Sequence, residues 1–354
     1  MVPPAWKLLS QPYTELKVDT VPRTRFKDNS SEKLRRTGNG RTLIIFAFRT
    51  GWYPSPSRDI RNVEFFIRQV VGGPRSADLD FIFVDTSDQG PAIPVPHLEN
   101  VKYIYRPNIA FDMCSYKTAL ALVAPGQYKY IVLMNGTVRG PFATARDFLE
   151  AFKQMLSAKT PVVGTTFNCL PKGHIQSMFF VVNSVGAELL NATLSCDIPD
   201  KGAATYGPHG EINISQNVLK AGYNIGVVQP FWRGHDFRDV NATWHRCESY
   251  PESKDPYYPM NDVDPQTMGP KDIYPDEVIF FKTTRHVNDG RLDWLTQRFE
   301  RACTKRADLC GVAAAEVIWH WPNDQRSLLV VFGLCSGWFA LVLLMGRRCR
   351  DKKV

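Results

Sequence analysis

Apolar residues in this chain gather into two kinds of run that alternate along its length. Residues 42–48, 81–84, 101–105, 130–134, 161–163, 178–182 and 225–228 are short and uninterrupted, rich in Val, Ile and Phe. Such runs predict strands buried on both faces. Between them apolar positions recur at helical spacing. Ile60, Val63, Ile67, Val70 and Val71 mark a helix over 59–71; further helices are expected over 114–123 (introduced by Asp112), 143–156, 185–190 and 211–221. Alternating strands and helices predict an α/β fold, a mostly parallel, Rossmann-like sheet covered by helices on both faces. Residues 1–40 are polar and basic with scattered prolines and read as a loosely ordered arm. Residues 41–300 make the main domain. Within it, 230–300 are rich in Pro, Tyr, Trp and Asp and read as an acceptor-facing region.

A different pattern closes the chain. Residues 327–346, SLLVVFGLCSGWFALVLLMG, contain no charge, and Trp319, Trp321, Arg347, Arg348 and Arg350 flank them. Twenty apolar residues suffice for a helix to span ~30 Å of hydrocarbon, and a single-pass transmembrane helix is expected there. A juxtamembrane segment, 301–326, precedes it and a basic tail, 347–354, follows. Orientation is contested. No secretory signal is visible at the start, which favours a cytosolic domain; the basic tail, by the positive-inside rule, favours a luminal one. The cytosolic placement is the expectation taken.

The net charge of +8 suggests nucleic-acid binding until its distribution is read. Residues 1–41 hold nine Lys/Arg against four Asp/Glu, and the last eight residues five against one. The middle is therefore near neutral, no nucleic-acid motif accompanies either end, and a nucleic-acid partner is not expected. The eight cysteines show no CxxC pair or metal-ligand spacing. A Cys303–Cys310 or Cys196–Cys247 disulfide would require an oxidising compartment. Sequons occur at Asn29, Asn135, Asn191, Asn213 and Asn241.

The chemistry is sought at the strand ends, because ligands of open α/β sheets bind beyond the carboxyl ends of the strands. No GxGxxG follows the first strand, which disfavours a dinucleotide-dependent reductase, and neither GxxxxGK[ST] nor GxSxG occurs. What remains is Asp85, Asp112, Lys117, Asn135, Thr137, Arg139, His174, Gln176, His209 and Glu211. Asp85 fits a nucleobase or ribose partner or a strand-terminating turn. Asp112 fits a helix N-cap or a donor contact. Arg139 fits a phosphate clamp or a turn arginine paired with a carboxylate. Glu211 opens a helix, where it can complement the dipole or serve as a general base. His174 and Gln176 fit sugar hydrogen bonding or loop packing.

The blocks RPNIAFDMCSYKTAL (106–120), YIVLMNGTVRGPF (130–142), VVGTTFNC…HIQSMFFVVNSVGAELL (162–190), HGEINISQNVLKAGYNI (209–225) and YPDEVIFFKT (274–283) resemble a glycosyltransferase family. Its members occur in large viruses of green algae, in algae and in plants, and are distantly similar to rhamnan-synthesis proteins. The resemblance spans residues 41–285 and implies a GT-A-like fold with transfer from a UDP- or GDP-sugar to a glycan hydroxyl. It implies a glycoprotein or lipid-linked acceptor, with Asp112 on the donor sugar or ribose and Lys117 on the phosphates. Enzymes of that fold usually hold Mn²⁺ or Mg²⁺ through a DxD motif at the fourth strand. Asn135-Gly136-Thr137 stands there instead, a poor set for a hard cation. Either a metal is weakly held by other groups, or Lys117, Arg139 and His174 neutralise the phosphates. Glu211, assisted by His209, with no evident enzyme nucleophile, implies inversion. The alternative is a non-catalytic, membrane-tethered sugar- or nucleotide-binding protein.

Overall fold

The computed structural model describes residues 40–49, 56–88, 93, 95–249, 273, 275–284 and 289–304, with short strands at 317–319, 328–332 and 341–345. In chain order the elements begin with β1 (Thr42–Phe48), α1 (Pro56–Val70), β2 (Leu79–Asp85), β3 (Val101–Tyr105), α2 (Phe111–Leu120), β4 (Tyr130–Asn135) and β5 (Val138–Arg139). They continue with α3 (Glu150–Met155), β6 (Val162–Gly164), β7 (Phe167–Asn168), β8 (His174–Ile175), β9 (Phe179–Val182), α4 (Ser184–Thr193), α5 (Lys201–Tyr206) and α6 (Glu211–Lys220). Last come β10 (Ile225–Val227), α7 (Val240–Glu248), α8 (Pro275–Val278), β11 (Phe281–Lys282), α9 (Asp289–Thr304), β12 (Val317–Trp319), β13 (Leu328–Phe332) and β14 (Leu341–Met345).

Seven strands form the central sheet in the order β10-β6-β9-β4-β1-β2-β3. β9 runs antiparallel to both its neighbours and the other pairings are parallel. The apolar strands lack polar alternation because each side of the sheet is covered. Ile44, Phe46 and Phe48 of β1 enter the core beneath α1, where Phe65 and Phe66 meet them, while Leu43, Ile45 and Ala47 enter the core beneath α2, α4 and α6. β4 divides in the same way, Val132 and Met134 to one side, Ile131 and Leu133 to the other. Truncating one of these phenylalanines to alanine costs ~3–5 kcal/mol.

Register then fixes the site. Phe48 lies beside Asp85, and Ala47 beside Asn135, so three neighbouring strands end together with β1 in the middle. A second, two-stranded sheet pairs β11 with β5, setting Phe281 opposite Arg139 and Lys282 opposite Val138. The β5 turn allows this close approach because Gly140 has no side chain. A Cβ there would sit 2.6 Å from the Ile279 carbonyl and from the Phe280 ring.

Two expected elements differ. Helix 143–156 shrinks to Glu150–Met155. Asp147 accepts from the Leu149 N–H at 3.0 Å, and Ala143 offers its carbonyl to buried Arg75, so the preceding residues are held in a turn. The expected helix over 327–346 is not observed. Its described residues fall in β13 and β14, an antiparallel pair extended by β12, and among the described residues no helix is long and apolar enough to cross a membrane. An apolar run does not by itself choose between helix and strand, and residues 327, 333–340 and 346 lie outside the described residues.

The cysteine pairing also differs from expectation. Cys114 bonds to Cys196 and Cys169 to Cys247, so the Cys196–Cys247 pairing does not form. α2 carries Cys114 against the loop after α4, and α7 carries Cys247 against the loop after β7; nothing in sequence spacing encodes either proximity. Cys303 is disulfide-bonded too; Cys310, its expected partner, lies outside the described residues.

Candidate active site

At the end of β4, Asn135 is the hub of a short hydrogen-bond chain. Its Nδ2 donates to Asp112 Oδ2 at 2.6 Å. Its Oδ1 accepts from the Thr137 N–H at 3.0 Å and the Thr137 hydroxyl at 2.6 Å. The amide is thus oriented and both its ends are used. The turn is pinned from below: buried Asn62 of α1 donates to the Gly136 carbonyl at 2.8 Å, and the Thr283 N–H and hydroxyl both donate to the Thr137 carbonyl.

Asp112 reaches Asn135 because α2 starts in an unusual way. Ala110 at its N-cap and Phe111 both have left-handed backbones, φ 55° and 54°, and no side chain caps the helix. Asp112 is therefore not an N-cap. Two consecutive non-glycine residues in this region cost ~1–3 kcal/mol each and persist only where the surroundings enforce them. Arg106 contributes by donating to the Ser115 hydroxyl and the Ile109 carbonyl across the same loop.

Glu211, at the start of α6, accepts from the Ser177 N–H at 2.7 Å. It is half-buried, as is Asp112, and the two feel each other's charge. Their proton affinities diverge. Burial pushes Asp112 up to about 6, with Glu211 adding to the rise and Asn135, Lys282 and Arg106 opposing it. Burial also raises Glu211, but Lys282, His174 and the Ser177 hydrogen bonds outweigh it and hold the carboxyl below its ordinary range. At neutral pH Glu211 is ionised. Tyr116, one turn beyond Asp112, is fully buried; its hydroxyl donates to the Ser177 carbonyl at 3.4 Å, and burial beside both acids raises its pKa well above normal.

His174, on β8, is nearly buried, and its Nδ1 donates to the Lys172 carbonyl at 2.7 Å. In the protonated ring Nε2 is a second donor. Its field reaches Glu211, so it belongs to the cluster. The structure therefore gathers Asp112, Asn135, Thr137, His174 and Glu211, together with Lys282, Ser177 and Tyr116, which the sequence pattern had not singled out. Lys282 arrives through the β5–β11 pairing between distant segments. Its only local signal is a lone cation after the apolar run 278–281.

Other expected residues point elsewhere. Arg139 is 2% exposed; its Nε donates to Asn62 at 2.9 Å and its Nη1 to Thr296 at 3.0 Å, with Asp293 3.5 Å away. It braces the floor of the Asn135 turn through Asn62, which is the turn-arginine alternative. Lys117 donates to the Asn191 carbonyl at 2.5 Å, and His209 Nδ1 to the Thr193 carbonyl at 2.7 Å. Gln176 accepts from the Thr166 hydroxyl at 2.8 Å inside the β7–β8 hairpin, the packing alternative. Asp85 is fully buried and accepts from the Ser87 N–H and hydroxyl and from Tyr103, as a turn aspartate does.

Neither a protein-family model nor a curated protein matches the chain. Among solved structures it is similar to the glycosyltransferase GlyE of Streptococcus pneumoniae, with 10% identity over 81% of this chain and 66% of that one, TM-score 0.37. It is also similar to mouse xyloside xylosyltransferase 1, 9% identical over 58% of this chain and 93% of that one, TM-score 0.32. A third is a cytidylyltransferase of Leptospira borgpetersenii, 12% identical over 53% and 75%, TM-score 0.32. Likenesses of this size carry no argument, and the chemistry rests on the residues.

Proposed function

We propose that this protein is a glycosyltransferase that moves a sugar from a UDP- or GDP-sugar to a hydroxyl of a glycan acceptor, with inversion. The observation that carries the reading is the pair of half-buried carboxylates at the end of β4, one held ionised and one raised, beside Lys282 and His174. Ionised Glu211 takes the proton of the acceptor hydroxyl as that oxygen attacks the anomeric carbon. The bond from that carbon to the diphosphate breaks on the opposite side. Lys282 and His174 supply positive charge to the departing diphosphate. Asp112, held by Asn135, accepts a hydrogen bond from a hydroxyl of the donor sugar or its ribose.

The residues present do not fit a divalent cation well. Asn135 Oδ1 already accepts two hydrogen bonds, and among the described residues no cluster of three or more His, Cys, Asp or Glu side chains could hold a metal. No step is therefore assigned to one. The acceptor is a glycoprotein or lipid-linked glycan, and the apolar segment 327–346 brings the domain to a membrane. That the Asn135 turn offers no carboxylate supports a second reading, a sugar-nucleotide-binding protein without turnover.

Calorimetric titration of the full chain in detergent with a panel of UDP- and GDP-sugars, with and without chelator, tests the proposal. Binding of at least one donor, unchanged by chelator, is expected. No binding to any donor would sink both readings.

A further inference from the structure

We propose that this domain matures in an oxidising compartment and carries N-linked glycans on Asn191 and Asn241. Two observations meet here. First, Cys114–Cys196 and Cys169–Cys247 join segments 82 and 78 residues apart, and Cys303 is disulfide-bonded as well. Structural disulfides persist outside the reducing cytosol and are rare within it. They sit beside the candidate site: Cys114 lies two residues past Asp112 on α2, and Cys169 lies in the connection of the hairpin that carries His174. Both therefore oppose the cytosolic placement.

Second, the fold sorts the four sequons among the described residues; Asn29 lies outside them. Asn135 is 6% exposed and its amide is committed to Asp112 and Thr137. Asn213 is half-buried and donates to the Tyr206 and Gly207 carbonyls. Asn191, in the last turn of α4, and Asn241, in the first turn of α7, are exposed, and neither side chain makes a hydrogen bond among the described residues. Asn241 also shares a helix face with Trp244, which is 49% exposed. A glycan at Asn241 would cover this indole, whose flat apolar surface suits the C–H face of a sugar.

The chemistry requires co-reactants of that compartment. Each disulfide forms when two thiols lose two protons and pass two electrons to a disulfide-bearing oxidase, whose own disulfide is reduced. Each glycan forms when the Asn amide nitrogen attacks the anomeric carbon of a lipid-diphosphate oligosaccharide. A C–N bond forms, the C–O bond to the diphosphate breaks, and one amide proton leaves to a base of the oligosaccharide-transferring enzyme.

The full chain, produced in cultured eukaryotic cells, is digested without reduction and treated with peptide N-glycosidase in ¹⁸O water, and its peptides are weighed. Expected are linked peptides for both cysteine pairs and ¹⁸O-labelled Asp at positions 191 and 241, with Asn135 and Asn213 unmodified. Asn191→Gln and Asn241→Gln should each remove one glycan's mass from the intact chain. Free thiols at Cys114, Cys169, Cys196 and Cys247 overturn the oxidising placement. Disulfides with an unmodified Asn191 or Asn241 overturn the glycan at that residue, and a modified Asn135 overturns the sorting by fold.

Discussion

Asp112→Asn should make the protein more stable and less active, and the gain should depend on pH in a defined way. The structure holds this carboxyl at about 6, against 3.8 for an unperturbed aspartate. Below about pH 4 both folded and unfolded chains keep the proton, and the site costs nothing. Between about pH 4 and 6 the unfolded chain releases its proton while the folded chain retains it, so stability falls as pH rises. Above about 6 the folded chain is ionised too and the loss is complete. A gap of about two pKa units at 1.36 kcal/mol each gives up to ~3 kcal/mol. Asparagine has the same shape, carries no charge and can still accept the Asn135 amide, so it escapes this cost. Urea unfolding of both proteins from pH 4 to 8, disulfides intact, should show a mutant advantage that grows between pH 4 and 6 and stays level above. In a thermal melt each kcal/mol corresponds to roughly 2–4 °C for a domain of this size. Equal stabilities at pH 8, or a difference flat across the range, would refute the account of Asp112 as a carboxyl held under strain for function.

Other substitutions separate scaffold from chemistry. Arg139→Met leaves the buried Asn62 Oδ1 without its donor and should destabilise by ~1–3 kcal/mol in urea, with nucleoside-diphosphate affinity changed by less than about threefold. A loss of tenfold or more in affinity would restore it as a phosphate clamp. Lys282→Met removes a cation that lowers both acids, so nucleoside-diphosphate affinity should drop tenfold or more and the acid limb of the pH–rate profile should move to higher pH. An unmoved limb places Lys282 outside the cluster. The Cys114→Ala/Cys196→Ala pair opens a loop of about 80 residues, a cost of up to ~4.5 kcal/mol in the loop-entropy view, read as a lower unfolding midpoint.

The strand ends were legible because burial on both faces removes polar residues from β1, β2 and β4 and leaves the chemistry where the apolar runs stop. That pattern put Asn135, Asp112 and Glu211 among the candidates. It could not tell which polar side chains gather at the end of β4. Arg139 follows the turn directly, yet its partners Asn62, Asp293 and Thr296 belong to α1 and α9, whose packing no local period encodes. The partner of Lys117, a carbonyl of α4, is equally beyond any local period. Lys282 was hidden because the pairing of β11 with β5, which joins distant segments, is what brings its charge to Asp112 and Glu211. The cysteine pairs are equally non-local. Asp112 resembled an N-cap, and the left-handed backbone at Ala110 and Phe111 that turns it toward Asn135 has no sequence signature, since neither residue is glycine.

The central claim, that Glu211 is the base of a sugar transfer, is tested most directly by nucleoside-diphosphate release from the donor that binds, in the presence of acceptor glycans, for the native chain and Glu211→Gln side by side. Steady release by the native chain is expected, with a loss on the order of 10²–10⁴-fold in the mutant and donor affinity nearly unchanged. Equal release by both proteins, or none by the native chain with any donor and acceptor, would contradict it.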